Sequence, residues 1–367
     1  MKEALMDPFD TVPVHRDSFL DRRTLMKRAA AAGLSVPALA ALWQITSRPE
    51  GAFAQEVTCP PPASPAADIG TPEPASGMTI GVSVAYLSVP FYANFMTGLE
   101  DGARRFGFEY DLRDGGSGDL TVELGNIQDF IAAGVSLILL TPSGEGIIPG
   151  ILEANNAGVP VIEVNNTTGF NSEDVDVVTY VGADDVEFGR QQARLLNQVF
   201  GDNPAKIGYQ QGITGTSPQI LRQQGFDEVL AEFPQYEIVG TVVNDFNSDR
   251  ALAVTQDLLV RFPEGELDVI VMQGPDGVSS AQFARENGRE EVQFILGDYP
   301  ADVRQAIIDG HIVGTVNQDP YPQAFEGMHM AWLYLNGREA EIPKPYYLPL
   351  PIITIENAES VPPAWGC

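Results

Sequence analysis

The chain has 367 residues, with 50 acidic side chains against 21 basic ones and a formal net charge of −29 at pH 7. That sign argues against nucleic-acid partners, because such a surface repels phosphate backbones. The charge favours solubility and says little about fold, while the length suffices for two lobes of ordinary size.

The first element in chain order is an expected export leader. Asp21-Arg22-Arg23-Thr24-Leu25-Met26-Lys27 precedes an uncharged stretch, residues 29–42, and Ala52-Phe53-Ala54 supplies a small-x-small cleavage pattern. The paired arginines resemble a twin-arginine (Tat) leader, although Asp21 stands where Ser or Thr is usual and Leu25 where Phe is. A membrane anchor is the competing reading, but the 14 uncharged residues include Gly33 and Pro37. They fall short of the roughly 20 that span a bilayer. Cleavage after Ala54 leaves 313 residues with 14 basic and 44 acidic side chains, and only Lys206 and Lys344 as lysines.

Residues 55–77, "QEVTCPPPASPAADIGTPEPASG", carry no apolar periodicity and read as a Pro-rich linker. Cys59 and Cys367 are the cysteines of the exported part. They either pair, tying the two ends together, or remain free thiols on the tails. Lipidation of Cys59 is rejected, because Glu56 stands where a lipoprotein signal carries Leu.

From Met78 onward strands and helices alternate. Apolar runs suited to buried strands fall at 79–86, 108–113, 136–141, 160–164 and 178–182, then at 206–210, 237–243, 268–273, 292–296 and 312–316. Amphipathic segments of helical length lie between them, at 187–200, 218–233 and 248–262, and a further helix is expected to begin near Ala93. Regular alternation of this kind implies parallel sheets covered on both faces. Residues 135–166 and 267–300 also share one plan: strand, Pro/Gly turn, helix, Gly turn, second strand, polar exit. The fold class is therefore α/β, with two similar doubly wound parallel-sheet lobes joined by a hinge that the chain crosses several times. The lobes are expected at 78–183 plus 319–347 and at 184–318 plus 348–367. In open α/β sheets ligands bind beyond the carboxyl ends of the strands, so two facing lobes make a cleft there.

Catalytic signatures are missing. The first strand leads into "YLSVPFY" rather than G-x-G-x-x-G, no phosphate loop follows any strand, and "GGSGD" at 115–119 is not a nucleophile elbow. The exported part holds only His311 and His329, far apart in sequence, which gives little support to a metal site or a His-based triad. No cofactor is expected. What remains is a set of polar and aromatic residues at strand exits: Phe91 and Tyr92, Asn165 and Asn166, Phe246, Gln273 and Asp276, Asp298 and Gln318. Aromatic faces stack on the C–H faces of sugars, while Asn, Asp and Gln supply the donors and acceptors that hydroxyls require.

Eight segments in order carry a family resemblance: "VPFYANFMTGLEDGARRFG", "IQDFIAAGVSLILLTP", "NNAGVPVIEVNN", "VGADDVEFGRQQA", "GITGTSPQILRQQGF", "NDFNSDRALAVTQDLL", "LDVIVMQGPDG" and "ILGDYPADVRQAIIDGHIVGTVNQDPY". Over residues 78–355 the chain resembles the periplasmic sugar-binding proteins related to the ribose-binding protein, the type I solute receptors of ABC transporters. The resemblance implies that Phe91 and Tyr92 stack on a sugar from one lobe and Phe246 from the other. It makes Asp298 the hydroxyl-binding aspartate and Gln318 the hinge-side glutamine. Arg222 lies two positions from Ile220, where the family's sugar-contacting arginine falls. Four residues depart from the pattern: Asn165-Asn166 in place of an Asp-Arg pair, Val89 in place of an asparagine, and Gly274 in place of another. The implied function is capture of a sugar or polyol by an exported, monomeric receptor that docks on an ABC permease. Hinge segments are expected near 182–185, 316–319 and 346–350. Presentation of a different small polar ligand to a membrane sensor is the alternative of another class, and a Tat-exported α/β enzyme a third. LacI-type repressors share the lobes but carry a helix-turn-helix where this chain has its leader and linker.

Overall fold

The computed structural model describes residue 75, residues 77–169 and residues 175–366. The expected leader, most of the linker, and Cys59 and Cys367 lie outside the described residues. In chain order the elements are β1 (Thr79–Val84), α1 (Phe91–Phe106), β2 (Glu109–Asp114), α2 (Leu120–Ala133), β3 (Leu137–Thr141), α3 (Ile148–Asn156), β4 (Val161–Val164) and β5 (Tyr180–Gly182). There follow α4 (Asp185–Phe200), β6 (Ala205–Gln211), α5 (Ser217–Leu230), β7 (Tyr236–Val243), α6 (Ser248–Arg261), β8 (Val269–Met272), α7 (Val278–Glu286), β9 (Gln293–Gly297), α8 (Ala301–Ile308) and β10 (Gly314–Val316). The chain ends with α9 (Pro320–Leu335), β11 (Tyr346–Tyr347) and β12 (Ile352–Thr354).

These strands build two six-stranded sheets of matching order, β11-β5-β4-β3-β1-β2 and β12-β10-β9-β8-β6-β7. Every pairing is parallel except β10 with β12. The apolar runs are continuous because both faces of each strand are buried. In β3, Leu137 and Leu139 pack with α1 and α9, while Ile138 and Leu140 pack with α2 and α3. In β8, Val269 and Val271 face α4 and α5, while Ile270 and Met272 face α6, α7 and α8.

The internal echo is visible in the backbone. β4 and β9 occupy the same place in their sheets, and the residues that leave them, Asn165 and Asp298, both adopt left-handed conformations, with φ of 68° and 61°. Asn and Asp are the side chains that tolerate this region best. Each exit turns sharply and delivers a polar side chain to the same end of its sheet.

The chain passes from the first sheet to the second between β5 and α4, returns between β10 and α9, and passes again between β11 and β12. The C-terminal stretch, placed with the second lobe from the sequence, follows that lobe only part of the way. Ala358 and Val361 pack in its core, but Ala364 and Trp365 join the hydrophobic cluster of the first.

One helix start differs from expectation. α1 begins at Phe91 rather than near Ala93, with Pro90 as its N-cap. Proline suits a position whose N–H has no helical partner. Its buried face runs through Phe91, Tyr92, Phe95, Leu99 and Phe106. The two aromatics therefore stand on the first turn of a helix, held by its geometry.

Candidate functional site

At the carboxyl ends of both sheets the lobes enclose a cleft of about 670 Å³, its open mouth included. From the first lobe come Phe91 and Tyr92 at the start of α1, and Asn165 and Asn166 beyond β4. From the second come Arg222 of α5, Phe246 beyond β7, Asp276 beyond β8 and Asp298 beyond β9. Gln318 reaches in from the segment that crosses between the lobes. Nine of the ten residues singled out in the sequence thus line one cavity.

Gln273 does not. It is fully buried: its Oε1 accepts from Gly212 N at 2.8 Å, and its Nε2 donates to Tyr209 Oη at 3.2 Å and to the Gln219 carbonyl at 2.9 Å. Strand alternation turns its side chain into the second lobe. Its backbone carbonyl accepts from Arg222 Nη1 at 2.6 Å, so it supports the cleft from behind.

The first-lobe wall is a linked set. Tyr92 Oη donates to Asn165 Oδ1 at 2.8 Å, Asn165 Nδ2 to Gln323 Oε1 at 2.9 Å, and Gln323 Nε2 to Gln318 Oε1 at 3.0 Å. Burial pushes the Tyr92 phenol well up, so it stays neutral and donates. Asn166 Nδ2 donates to the Pro142 carbonyl at 3.0 Å.

Phe246 is half-buried on the opposite wall, with φ of 53°. A Cβ at Gly212 would come within 2.0 Å of its ring, and one at Gly274 within 2.5 Å. Gly274, which departs from the family pattern, is thus the floor on which the ring lies. An asparagine there would push the ring off its seat.

Arg222 is the cleft's buried cation, 2% exposed. Its Nε donates to Asp185 Oδ1 at 2.8 Å and its guanidinium lies 3.8 Å from the centroid of Phe188. Burial works against the charge, but Asp185 and Asp298 outweigh it and hold the pKa above the ordinary value. Two of its five N–H donors are engaged by Asp185 and Gln273, and the residue lines the cleft. Nearby, Asp298 Oδ1 and Asp276 Oδ2 have no hydrogen-bond partner within the protein. Burial pushes Asp298 up to about 7, with Arg222 opposing, and pushes Asp276 up to about 6. The cleft therefore offers aromatic faces, a cation and two unpartnered acceptors. Among the described residues no cluster of His, Cys, Asp and Glu could hold a metal ion.

Residues 80–339 match the family described as the periplasmic binding protein domain. The chain belongs to that family. Across 277 residues it is 26% identical to the ribose import binding protein of Salmonella typhimurium, which covers 75% of this chain and 90% of the relative. It is also 26% identical over 282 residues to the xylitol-binding protein of Mycolicibacterium smegmatis, covering 76% of this chain and 78% of the relative. The Caulobacter myo-inositol binding protein, solved with myo-inositol bound, superposes with a TM-score of 0.71 at 25% identity, covering 78% of this chain and 97% of the other. All three are binding proteins, not enzymes, and the two-lobed parallel-sheet architecture is that of the type I periplasmic binding proteins.

This periplasmic binding protein also lines its cleft with residues not singled out from the sequence, among them Tyr86, Thr216, Pro218 and Trp365. Tyr86 falls within the expected 79–86 strand, but β1 stops at Val84 and leaves it to line the cleft. Thr216 and Pro218 sit at the start of α5, with Thr216 as its N-cap. Trp365 lies eleven residues beyond β12, too far along the chain to be read as a strand exit.

Proposed function

We infer that this protein is an exported receptor that takes a sugar or sugar-like polyol between its lobes and delivers it to an ABC importer. The observation that carries this reading is the pairing of aromatic rings from both lobes with buried, unpartnered carboxylate oxygens in one cleft. A ring or polyol face stacks between Phe91, Tyr92 and Phe246. Its hydroxyls donate to Asp276 and Asp298 and accept from Arg222. The ribose, xylitol and myo-inositol named for the relatives share that chemistry of closely spaced hydroxyls on a compact carbon frame. Contacts made by both lobes exist together only when the cleft is shut, so ligand draws the lobes closed about the three crossing segments.

A thermal-shift screen of pentoses, hexoses and polyols tests the reading, because a ligand that binds the native state raises Tm. At least one member at a hundred times its Kd is expected to raise stability by about 2.7 kcal/mol. No shift with any member sinks the sugar reading. With the ligand in hand, Phe246→Ala is expected to weaken binding about tenfold, the scale of one aromatic contact, with little change in Tm because the ring is half-buried. Unchanged affinity, read by isothermal titration, would remove Phe246 from the ligand's path.

A further inference from the structure

The C-terminal segment is fixed to the second lobe through its backbone. Ala364 N donates to the Tyr299 carbonyl at 2.8 Å and Ala301 N donates to the Trp365 carbonyl at 2.9 Å, making a parallel bridge between Pro300 and Trp365. Upstream, Tyr299 Oη donates to the Ala358 carbonyl at 2.8 Å, and Arg304 donates to the same carbonyl and to that of Glu359. All of these partners follow β9, and Asp298 of the cleft immediately precedes them.

The same segment is gripped by the first lobe through side chains. Trp365, 8% exposed, meets Phe91 edge to face, with ring centroids 5.3 Å apart and planes at 78°. Phe91 in turn meets Tyr92 at 5.3 Å and 79°. Asn94, also on α1, donates from Nδ2 to the Ala364 carbonyl at 2.6 Å. Trp365 itself lines the cleft. One residue thus lines the cavity, sets its indole against the aromatic wall of the first lobe and bonds through its backbone to the sheet exit of the second.

We propose that the C-terminal segment is a latch. It rides on the second lobe and, when the cleft closes, seats Trp365 against Phe91 and the Ala364 carbonyl on Asn94, which makes Trp365 a ligand-contacting and specificity-determining residue. This rests on the reading of the cleft as a ligand site and extends it. The backbone bonds keep the segment with the second lobe through opening and closing. The indole and Asn94 contacts join different lobes, so they form only on closure and add to the closed state's share of the equilibrium. Because Trp365 also closes one side of the cavity, ligand size is judged against a wall that arrives last.

Two measurements decide the matter, one of them without ligand. Trp43, Trp332 and Trp365 are the three tryptophans. Replacing the first two by phenylalanine leaves Trp365 as the sole reporter in the full chain. In that background, acrylamide quenching is expected to rise at least about twofold when Phe91→Ala and Asn94→Ala are added, because the first lobe's grip is what shields the ring. Quenching that does not change overturns the latch. In the second measurement, ribose, xylitol and myo-inositol are titrated into the wild-type protein and into the Trp365→Ala and Trp365→Phe variants. A compound that binds the wild type is expected to bind Trp365→Ala at least about tenfold more weakly, mostly through faster release, and Trp365→Phe within about threefold. Equal affinity and release rate in Trp365→Ala removes the residue from the ligand site. If none of the three binds the wild type, the sugar reading loses its support, and the quenching result still decides the latch.

Discussion

Asp298→Asn is expected to weaken ligand binding about a hundredfold at about pH 8 while leaving the ligand-free protein at least as stable as the wild type. A hydrogen bond to a charged group contributes about 1.5–3 kcal/mol, so loss of the carboxylate's acceptors reaches that scale. Asparagine is the fitting replacement because it tolerates the left-handed backbone, φ 61°, that holds this exit. The stability half of the expectation follows from burial. The Asp298 carboxyl is pushed up to about 7 mainly by desolvation, and its Oδ1 is unpartnered. Between the ordinary aspartate value and about 7 the native state binds more protons than the unfolded chain. Its stability contribution is therefore full below that window and lost as pH rises through it. The wild type should lose Tm from about pH 4 to about pH 7 more steeply than the variant.

The same carboxyl is expected to make ligand binding pH-dependent with the opposite sign. Hydroxyls that donate to Asp298 favour its ionised form, so wild-type affinity should rise over that interval and binding should release protons. Each pH unit below the group's pKa changes the ionised fraction about tenfold. Isothermal titration in two buffers of different ionisation enthalpy reads the released protons directly. An Asp298→Asn protein with wild-type affinity, or one that still releases as many protons, would show that the ligand does not engage this carboxyl.

Much of the fold is legible in the sequence because burial on both faces leaves unbroken apolar runs. All ten runs became strands, whereas Tyr346–Tyr347 and Ile352–Thr354 were missed. Two or three residues carry no period, and both strands exist only because β5 and β10 have an open edge for them. The cleft residues were legible where position alone decides, as at Asn165 and Asp298, whose strand exits are fixed by topology. Gln273 was misassigned because an exit position does not say which way the last side chain points; that depends on the strand's register. Trp365 could not be found this way. Its "VPPAWGC" surroundings have no periodicity, and its place is set by a bridge to Pro300, 65 positions earlier in the chain. Arg222 stood two positions from the expected arginine and still reaches the cavity, because residues of one helical turn on α5 differ in the direction they face. Ile220 is 49% exposed on the outside, while Arg222 points inward.

Arg222→Met is expected to lower stability by about 3–5 kcal/mol, the cost of leaving a buried charge without its partner. Asp185 and Arg222 are both 2% exposed, and burial alone pushes the Asp185 carboxyl up, with Arg222 the chief opposing influence. The pair is locked by a close approach of α4 and α5, where a Cβ at Gly225 would come within 1.8 Å of the Val186 carbonyl. The helices cannot move apart to let water reach a lone Asp185 without losing that packing. Asp185→Asn in the Arg222→Met background should restore most of the lost stability, because a neutral side chain no longer needs the cation. Ligand binding should not return with it, since the guanidinium that lines the cleft is gone in both variants. Chemical denaturation of the wild type, both single variants and the double variant gives the coupling between the two sites. Full recovery of stability with binding still lost assigns Arg222 both a structural partner and a ligand contact. Recovery of both would make the arginine a support for the second lobe alone, with hydroxyl recognition left to Asp276 and Asp298.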